Sequence, residues 1–386
     1  MVLQENDTSI SVVQELPTEL HAATWSSAAM LKVKIQIITL VGVLAVLTAG
    51  AAISILRQGS QPRQSAELAE AFARWKVQYG KLYATPSESD YRLKVFGKTT
   101  AFIQKENVEY EARAAARGEK LSGPMFEMNG FGDLTREEFT AMYAGLSQPI
   151  EEFIQIDDVP DVEADQNPVY NTESNLGSSF VPRPRAQGKC QSCWAFGAIV
   201  ELERLAHKKH GSYIDLSHQE LLDCAGDQLT CRGGQPAPAF NYARKRGGLH
   251  KASSYPYLAA KKTCENSKAG HVAFSIPADA TNVPFTTAKA TTLSSKGIMP
   301  ATLVYSSGAM VYLSKTDDVF DARGHADCSK ARDHTVAIVS SSAGVSKVVN
   351  SWFGTKWAAG GFKKIRACSS DNLFGTGGRL VYPHSF

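Results

Sequence analysis

The chain has 386 residues, 43% of them hydrophobic and 20% charged, with a formal net charge of +3. That length accommodates two domains, or one large domain and a separate functional segment, and the apolar content is enough for a sizeable core. So small a charge excess excludes a dominant nucleic-acid surface; the short basic run Arg244-Lys245-Arg246 reads as a solvated face.

Residues 1–31 are polar and without sustained periodicity, the composition of a disordered tail. From Ile35 to Leu56 the sequence IQIITLVGVLAVLTAGAAISIL carries no charge, with Lys32 and Lys34 before it and Arg57 after it. As a helix at ~1.5 Å per residue it would span about 33 Å, the thickness of a bilayer core. A cleaved signal peptide places its apolar core nearer the N-terminus, so the expectation is a retained transmembrane signal-anchor at 35–56 with a cytosolic tail at 1–34. A cleaved signal and a buried soluble helix are the alternatives. Cys190, Cys193, Cys224, Cys231, Cys264, Cys328 and Cys368 all lie beyond this span, in the part expected to be lumenal or extracellular, where disulfides persist. Seven is odd, so one thiol is left over unless it pairs between chains.

RQGSQPRQS, 57–65, reads as a linker. Between Ala66 and Ala116 apolar residues recur at helical spacing: Leu68, Phe72, Trp75 and Tyr79, then Leu93, Phe96 and Ile103. TPSES, 85–89, breaks the run with a helix-start signature. MNGFGDLTREEF, 128–139, is a turn leading into a short helix. Residues 147–180 are acidic and irregular, an exposed connection open to proteolysis. CWAFGAIVELERLAHKKHG, 193–211, is a strong helix, apolar nearly all round in its first half and ended by Lys208, Lys209 and Gly211. From about 290 onward short runs read as strands: ATLVY, AMVYL, HTVAIV, SKVVN, GGFKKI and GRLVY. Helices first and strands later predict an α+β protein with two lobes.

Within this plan QGKCQSCWAF, 187–196, raises a chemical question. Cys193 would open the buried helix, where unpaired amides and the helix dipole favour a thiolate. Cys190 lies just outside, in a loop suited to a disulfide. A thiolate nucleophile needs a proton acceptor and a group that orients it. His21, His207, His210, His218 and His250 lie outside strand-like contexts. His334 opens an apolar strand, and Asn350 ends the next one, so an antiparallel pair could bring imidazole and amide together. Taken singly, His334 also fits a structural histidine and Asn350 a turn residue.

In combination these segments closely resemble the papain family of cysteine proteases. QGKCQSCWAF is followed in order by LSHQELLDC, TCRGG, SYPYLAAKKTC, DHTVAIV, NSWFGTKWAAGGF and a terminal VYP. The resemblance implies a papain-like two-lobed fold over 166–386, a helical lobe and an antiparallel β-barrel lobe. It implies Cys193 as nucleophile, His334 as acid and base, Asn350 as orienting residue and Gln187 as oxyanion donor. Trp352 would shield the His–Asn contact, and the backbone of Gly233 and Gly234 would pair with extended substrate. It further implies disulfides Cys190–Cys231 and Cys224–Cys264, leaving Cys328–Cys368. Upstream, Glu88, Arg92, Phe96, Ile103 and Asn107, then Asn129, Phe131 and Asp133, resemble the two motifs of cathepsin L-type propeptides. An inhibitory propeptide is therefore expected within 57–165, removed by a cut at about 150–172.

The sequence departs from the pattern in places. Thr99 stands for an asparagine, Glu127 for a glycine, Gln191 for the glycine after Cys190, and Ala358-Ala359 for Gly-Glu. Phe353 is an extra residue after NSW, and Gly377 occupies the place of the usual last cysteine. The Asp-Trp pair usual near the mature N-terminus is missing around Ser174-Asn175. The expected function is a cysteine endopeptidase acting on protein or peptide substrates, needing no cofactor or metal, tethered by 35–56 and maturing in a lysosome-like or extracellular compartment. The rivals are a papain-fold binding module with weak or no activity, a zinc site from Cys190, Cys193, Cys224 and Cys231, and a thioredoxin-like CxxC.

Overall fold

A computed structural model describes residues 64–145, 180–227 and 229–383. The expected tail, the apolar run 35–56 and most of the acidic connection lie outside these residues. Among the described residues no helix is long and apolar enough to cross a membrane.

The N-terminal segment is helical. Helix α1 covers 64–79 and α2 Pro86–Ala116, separated at the predicted TPSES break. Thr85 caps α2 by accepting from the Glu88 amide, and Pro86 occupies the first turn, where its missing N–H costs nothing. Helix α3, Arg136–Tyr143, starts with a reciprocal capping box between Thr135 and Glu138.

Residues 180–383 form two packed regions. The first holds α4 (Cys193–His210), α5 (His218–Cys224), α6 (Pro236–Arg246) and a short antiparallel pair, β1 (Gly248–His250) with β2 (His271–Ala273). The apolar first half of α4 is buried as expected, and burial also runs on through Glu203, Arg204 and His207, which the sequence reading did not foresee. Gly211 ends the helix in the left-handed conformation. The second region is a seven-stranded sheet ordered β3-β9-β4-β6-β7-β8-β5. Its strands are β3 (Thr281–Pro284), β4 (Ala301–Val304), β5 (Phe320–Asp321), β6 (His334–Ser342), β7 (Val345–Val349), β8 (Phe362–Arg366) and β9 (Arg379–Tyr382), and helix α7 (Thr287–Ser295) lies between β3 and β4 in the chain. All pairings are antiparallel except β5 with β8.

The structure differs from the sequence reading at AMVYL. The run 309–312 is a 3-10 turn rather than a strand. Asp327 caps it by accepting from the Ala309 amide, and segment 127–129 takes its carbonyls: Glu127 N donates to Tyr312 O at 2.7 Å and Asn129 Nδ2 to Val311 O at 2.7 Å.

Two apolar cores result. One joins α4, α5 and α6 to Ala301, Ala337, Val349 and Val381 of the sheet. The other fills the opposite side of the sheet and includes Ile103, Tyr110, Phe126, Phe131 and Phe139 of the N-terminal segment. The N-terminal segment is thus part of a core, not an appendage.

Candidate active site

The β6–β7 hairpin sets the distance between His334 and Asn350. His334 is the first residue of β6, Ala337 pairs with Val349, and Asn350 follows directly. The imidazole Nε2 and the Asn350 Oδ1 are 2.8 Å apart, and the same oxygen accepts from the Ser351 amide at 2.7 Å. With an amide oxygen facing it, Nε2 carries the proton and Nδ1 is left as the basic nitrogen. Nδ1 is buried without a hydrogen-bond partner. Trp352 stacks on the ring at 4.8 Å, closing one face to water.

Cys193 is the first residue of α4 and the one free thiol among the described cysteines. The other six are joined as Cys190–Cys231, Cys224–Cys264 and Cys328–Cys368. Three of the four sulfurs of the zinc alternative are therefore committed to disulfides. No His, Cys, Asp and Glu group that could hold a metal ion occurs among the described residues.

Gln187 is buried beside them, its carboxamide fixed from both ends. Nε2 donates to Cys190 O at 2.9 Å, and Oε1 accepts from Ser351 Oγ at 2.7 Å. Tyr257 Oη donates to Gln187 O at 2.8 Å and shares a 2.6 Å hydrogen bond with Ser192 Oγ. Gly233 closes a tight turn on Thr230 with two backbone hydrogen bonds. Of the two glycines, Gly234 is the one whose amide faces the cleft.

The cleft is filled by the chain's own N-terminal segment. Tyr143 O accepts from Gln187 Nε2 at 3.2 Å, and Gly145 O accepts from Gly234 N at 3.2 Å. Gly145 O also lies 3.9 Å from Cys193 Sγ. Residues 143–145 thus offer carbonyls to donors that an extended peptide would use.

Covering the site changes its electrostatics. Burial pushes the Cys193 thiol up to about 11, against lesser lowering by hydrogen bonding with Thr335 and Gly145. Burial pushes His334 down to about 4, with the Asn350 hydrogen bond opposing. The helix N-terminus favours a thiolate, but here removal of water outweighs it. Between those values the pair is a neutral thiol beside a neutral imidazole.

The segment over the cleft is held by the residues picked out in its sequence. Glu88 accepts from Ala84 N, and Arg92 donates to Asp133 O at 3.0 Å and Glu138 at 2.7 Å. Phe96 packs on Trp75, and Ile103 is buried in the sheet-side core. Asn107 makes two hydrogen bonds to the Phe126 backbone, at 2.8 and 2.9 Å. Asp133 accepts from Lys81 at 2.8 Å and Tyr83 at 2.9 Å. Phe131 meets Trp352 edge-on at 6.1 Å. The sequence reading missed Tyr143, Gly145, Ser351 and Tyr257. These act mainly through backbone atoms or hydroxyls and carried no signal of their own.

Comparison with known proteins agrees with this geometry. Residues 170–383 match the papain family cysteine protease pattern, and 72–139 match the cathepsin propeptide inhibitor domain. The chain is 30% identical to cysteine endopeptidase Rep1 of Oryza sativa subsp. japonica over 303 residues, 73% of this chain and 77% of the relative. It is 29% identical to cathepsin L2 of Homo sapiens over 343 residues, 84% of this chain and 94% of the relative. The crystal structure of a ragweed pollen cysteine protease, Amb a 11, in its proform superposes with a TM-score of 0.61 at 26% identity, covering 83% of this chain and 93% of that one.

Proposed function

Because the chain belongs to the papain family of cysteine proteases, we propose that Cys193 is its nucleophile, His334 its general acid and base, and Asn350 the group that orients the imidazole. It is a cysteine endopeptidase made as a zymogen, with an inhibitory propeptide of cathepsin type and a papain-like fold. The observation that carries the assignment is the plug: Tyr143 O on Gln187 Nε2 and Gly145 O on Gly234 N, beside Cys193 Sγ.

When that segment leaves, a substrate carbonyl takes its place. The Cys193 proton passes to His334 Nδ1 and the thiolate attacks the carbonyl carbon. Gln187 Nε2 and the Cys193 amide, unpaired at the helix start, hold the developing oxyanion. His334 returns the proton to the leaving amine as the C–N bond breaks, leaving a thioester. Water then attacks the thioester carbon and gives a proton to His334, and the Cys193 sulfur departs as a thiolate beside the imidazolium. Trp352 keeps the His334–Asn350 contact dry, and Gly233 shapes the turn that presents Gly234 to substrate. These steps use side chains and backbone alone, with no cofactor.

Residues 57–165 serve as linker and propeptide and 166–386 as peptidase domain, separated by a cut at about 150–172. Residues 35–56 tether the precursor as a signal-anchor, with 1–34 cytosolic and the peptidase domain in an endolysosomal lumen or outside the cell. The apolar, charge-free run supports the tether. Full-length protein should resist alkaline carbonate extraction while the processed form is soluble; a carbonate-soluble precursor already cut near residue 57 would refute the tether.

The catalytic assignment is tested with a fluorogenic peptide and an independently processed enzyme. Cys193→Ala should have no measurable turnover. Normal turnover by that variant contradicts the assignment.

A further inference from the structure

Two departures of the peptidase domain from the family pattern, Gln191 and Phe353, both touch the prodomain. Gln191 stands where the pattern has glycine. Its Nε2 donates to Thr140 O at 3.2 Å and Ala141 O at 2.6 Å, in the last turn of α3. Thr140 O already accepts from the Ala144 amide, whereas Ala141 O belongs to the last turn, where carbonyls lack intrahelical partners and an added amide donor satisfies them. Directly against Gln191 lies Gly145, two residues beyond the end of that helix. A Cβ at 145 would collide with the Gln191 Cβ and lie 3.0 Å from its carbonyl oxygen. The side chain gained at 191 is matched by the absence of one at 145.

Phe353 repeats the arrangement. This extra residue stacks on Phe131 with ring centroids 4.0 Å apart and planes at 24°. Gly130 lies beneath the ring, and a Cβ there would fall 2.8 Å from Phe353 Cζ and 3.0 Å from the Tyr79 ring. The ring cannot simply swing away without losing its stack on Phe131. At two separate places, a bulky addition on the peptidase side meets a glycine on the prodomain side.

We propose that Gln191 and Phe353 form a lock matched to this chain's own prodomain. Its key is the C-terminal turn of α3 followed by Gly145, together with Phe131 beside Gly130. The inference rests on Cys193 being the nucleophile that the prodomain masks. The lock has two consequences. It holds residues 143–145 over Cys193 by the Gln191 contacts to Thr140, Ala141 and Gly145, which lie outside the propeptide motifs, and by the Phe353 stack on Phe131 of the second motif. It also makes the peptidase surface selective, because an inhibitory segment with any side chain at the 145 position collides with Gln191.

The test uses the full-length chain and a thiol-directed epoxide. The labelling rate of Cys193 at neutral pH before processing is divided by the rate after processing with an added protease. This ratio cancels any change in intrinsic thiol reactivity. Gly145→Ala should raise the ratio about tenfold, since overpacking a fitted contact typically costs that much in occupancy. Adding Gln191→Gly to Gly145→Ala should lower the ratio again, a rescue that misfolding cannot produce. Phe353→Ala should relieve Gly130→Ala in the same way. An unchanged ratio in Gly145→Ala, or no rescue in either pair while the processed forms label normally, overturns the lock. If the processed wild type is itself unlabelled, the nucleophile assignment has failed and the lock falls with it.

Discussion

The peptidase domain and the prodomain share a core but are held in place by different chemistry. The peptidase domain carries all three disulfides, each closing about 40 residues, and its helix α4 is buried through almost its whole length. The described prodomain has no cysteine and is tied down by aromatic rings and ionisable groups. Across the boundary, Glu106 meets His325 Nε2 at 3.0 Å and Arg117 Nε meets Asp321 at 3.4 Å. Inside the prodomain, Lys81 pairs with Asp133 at 2.8 Å and Arg92 with Glu138 at 2.7 Å. Acid weakens contacts of this second kind and leaves disulfides intact. That difference would let the prodomain be released while the peptidase domain stays folded.

On the proposed mechanism the Cys193–His334 pair takes up no proton when the site opens. Covered, it holds one proton, on sulfur, because burial raises Cys193 to about 11 and lowers His334 to about 4. Uncovered as thiolate and imidazolium, it still holds one, so opening takes up none. Opening by acid is therefore expected to act through the carboxylates. Glu106 is held below its ordinary 4.5, first by the His325 hydrogen bond, with burial opposing. In Glu138, burial acts upward, but the Arg92 hydrogen bond and the Thr135 amide leave it lowered. Lowered carboxyls contribute stability fully above 4.5, Glu106 to docking and Glu138 to the prodomain's own fold, and lose that contribution as pH falls through their folded values.

The largest effect that would sharpen this contrast is expected at Gln187, which serves both regions. Gln187→Ala in the processed enzyme should cut turnover of a peptide substrate by about 100–1,000-fold, the usual cost of one oxyanion donor. Turnover within threefold of wild type would remove Gln187 from the oxyanion site. Next comes the staple. Replacing Cys224 and Cys264 together by serine should cost the processed enzyme about 2–5 kcal/mol, read by denaturant unfolding. An unchanged midpoint would break the claim that disulfides set the robustness of the peptidase domain.

Smaller again is Glu106→Gln, which keeps the shape and removes the charge opposite His325. Losing a charge-assisted hydrogen bond costs about 1.5–3 kcal/mol. The full-length variant should therefore process itself at a higher pH than wild type, and with a shallower pH dependence. An unshifted processing profile would place the sensor elsewhere. The smallest effect is expected at a turn of the peptidase domain. The β6–β7 turn has Ala343 at φ 49° and Gly344 at φ 74°, a tight hairpin whose first position suits asparagine better than alanine. Ala343→Asn should stabilise the processed enzyme by no more than about 1 kcal/mol and leave processing unchanged. A faster processing rate in that variant would show that the two regions are not energetically distinct.

Much of this was legible in the sequence. The periodic break at TPSES, the buried start of α4 and the alternation of 334–339 and 346–350 each reflect local physics, and those elements formed where expected. AMVYL failed because its carbonyls are taken by residues some 180 positions away, which no local pattern records. Strand β5 is two residues long and β3 ends in Pro284, too short and too irregular for an alternation signal. At the site, cysteine, histidine and asparagine stood out by type and order. The plug at Tyr143 and Gly145 did not, since it acts through carbonyls that every residue has. Gln191 and Phe353 were visible as oddities, but their partners lie at sequence distances that only the fold brings together.

The proposed prodomain action keeps Cys193 and His334 dry and neutral, and its removal creates the reactive thiolate. The most direct test is the pH profile of Cys193 alkylation, followed by peptide mapping, in the full-length chain and in the processed enzyme. The covered thiol should react only as the pH climbs towards about 11. The processed enzyme should react already from weakly acid to neutral pH, where an imidazolium stabilises the thiolate. Two superimposable profiles would contradict the account.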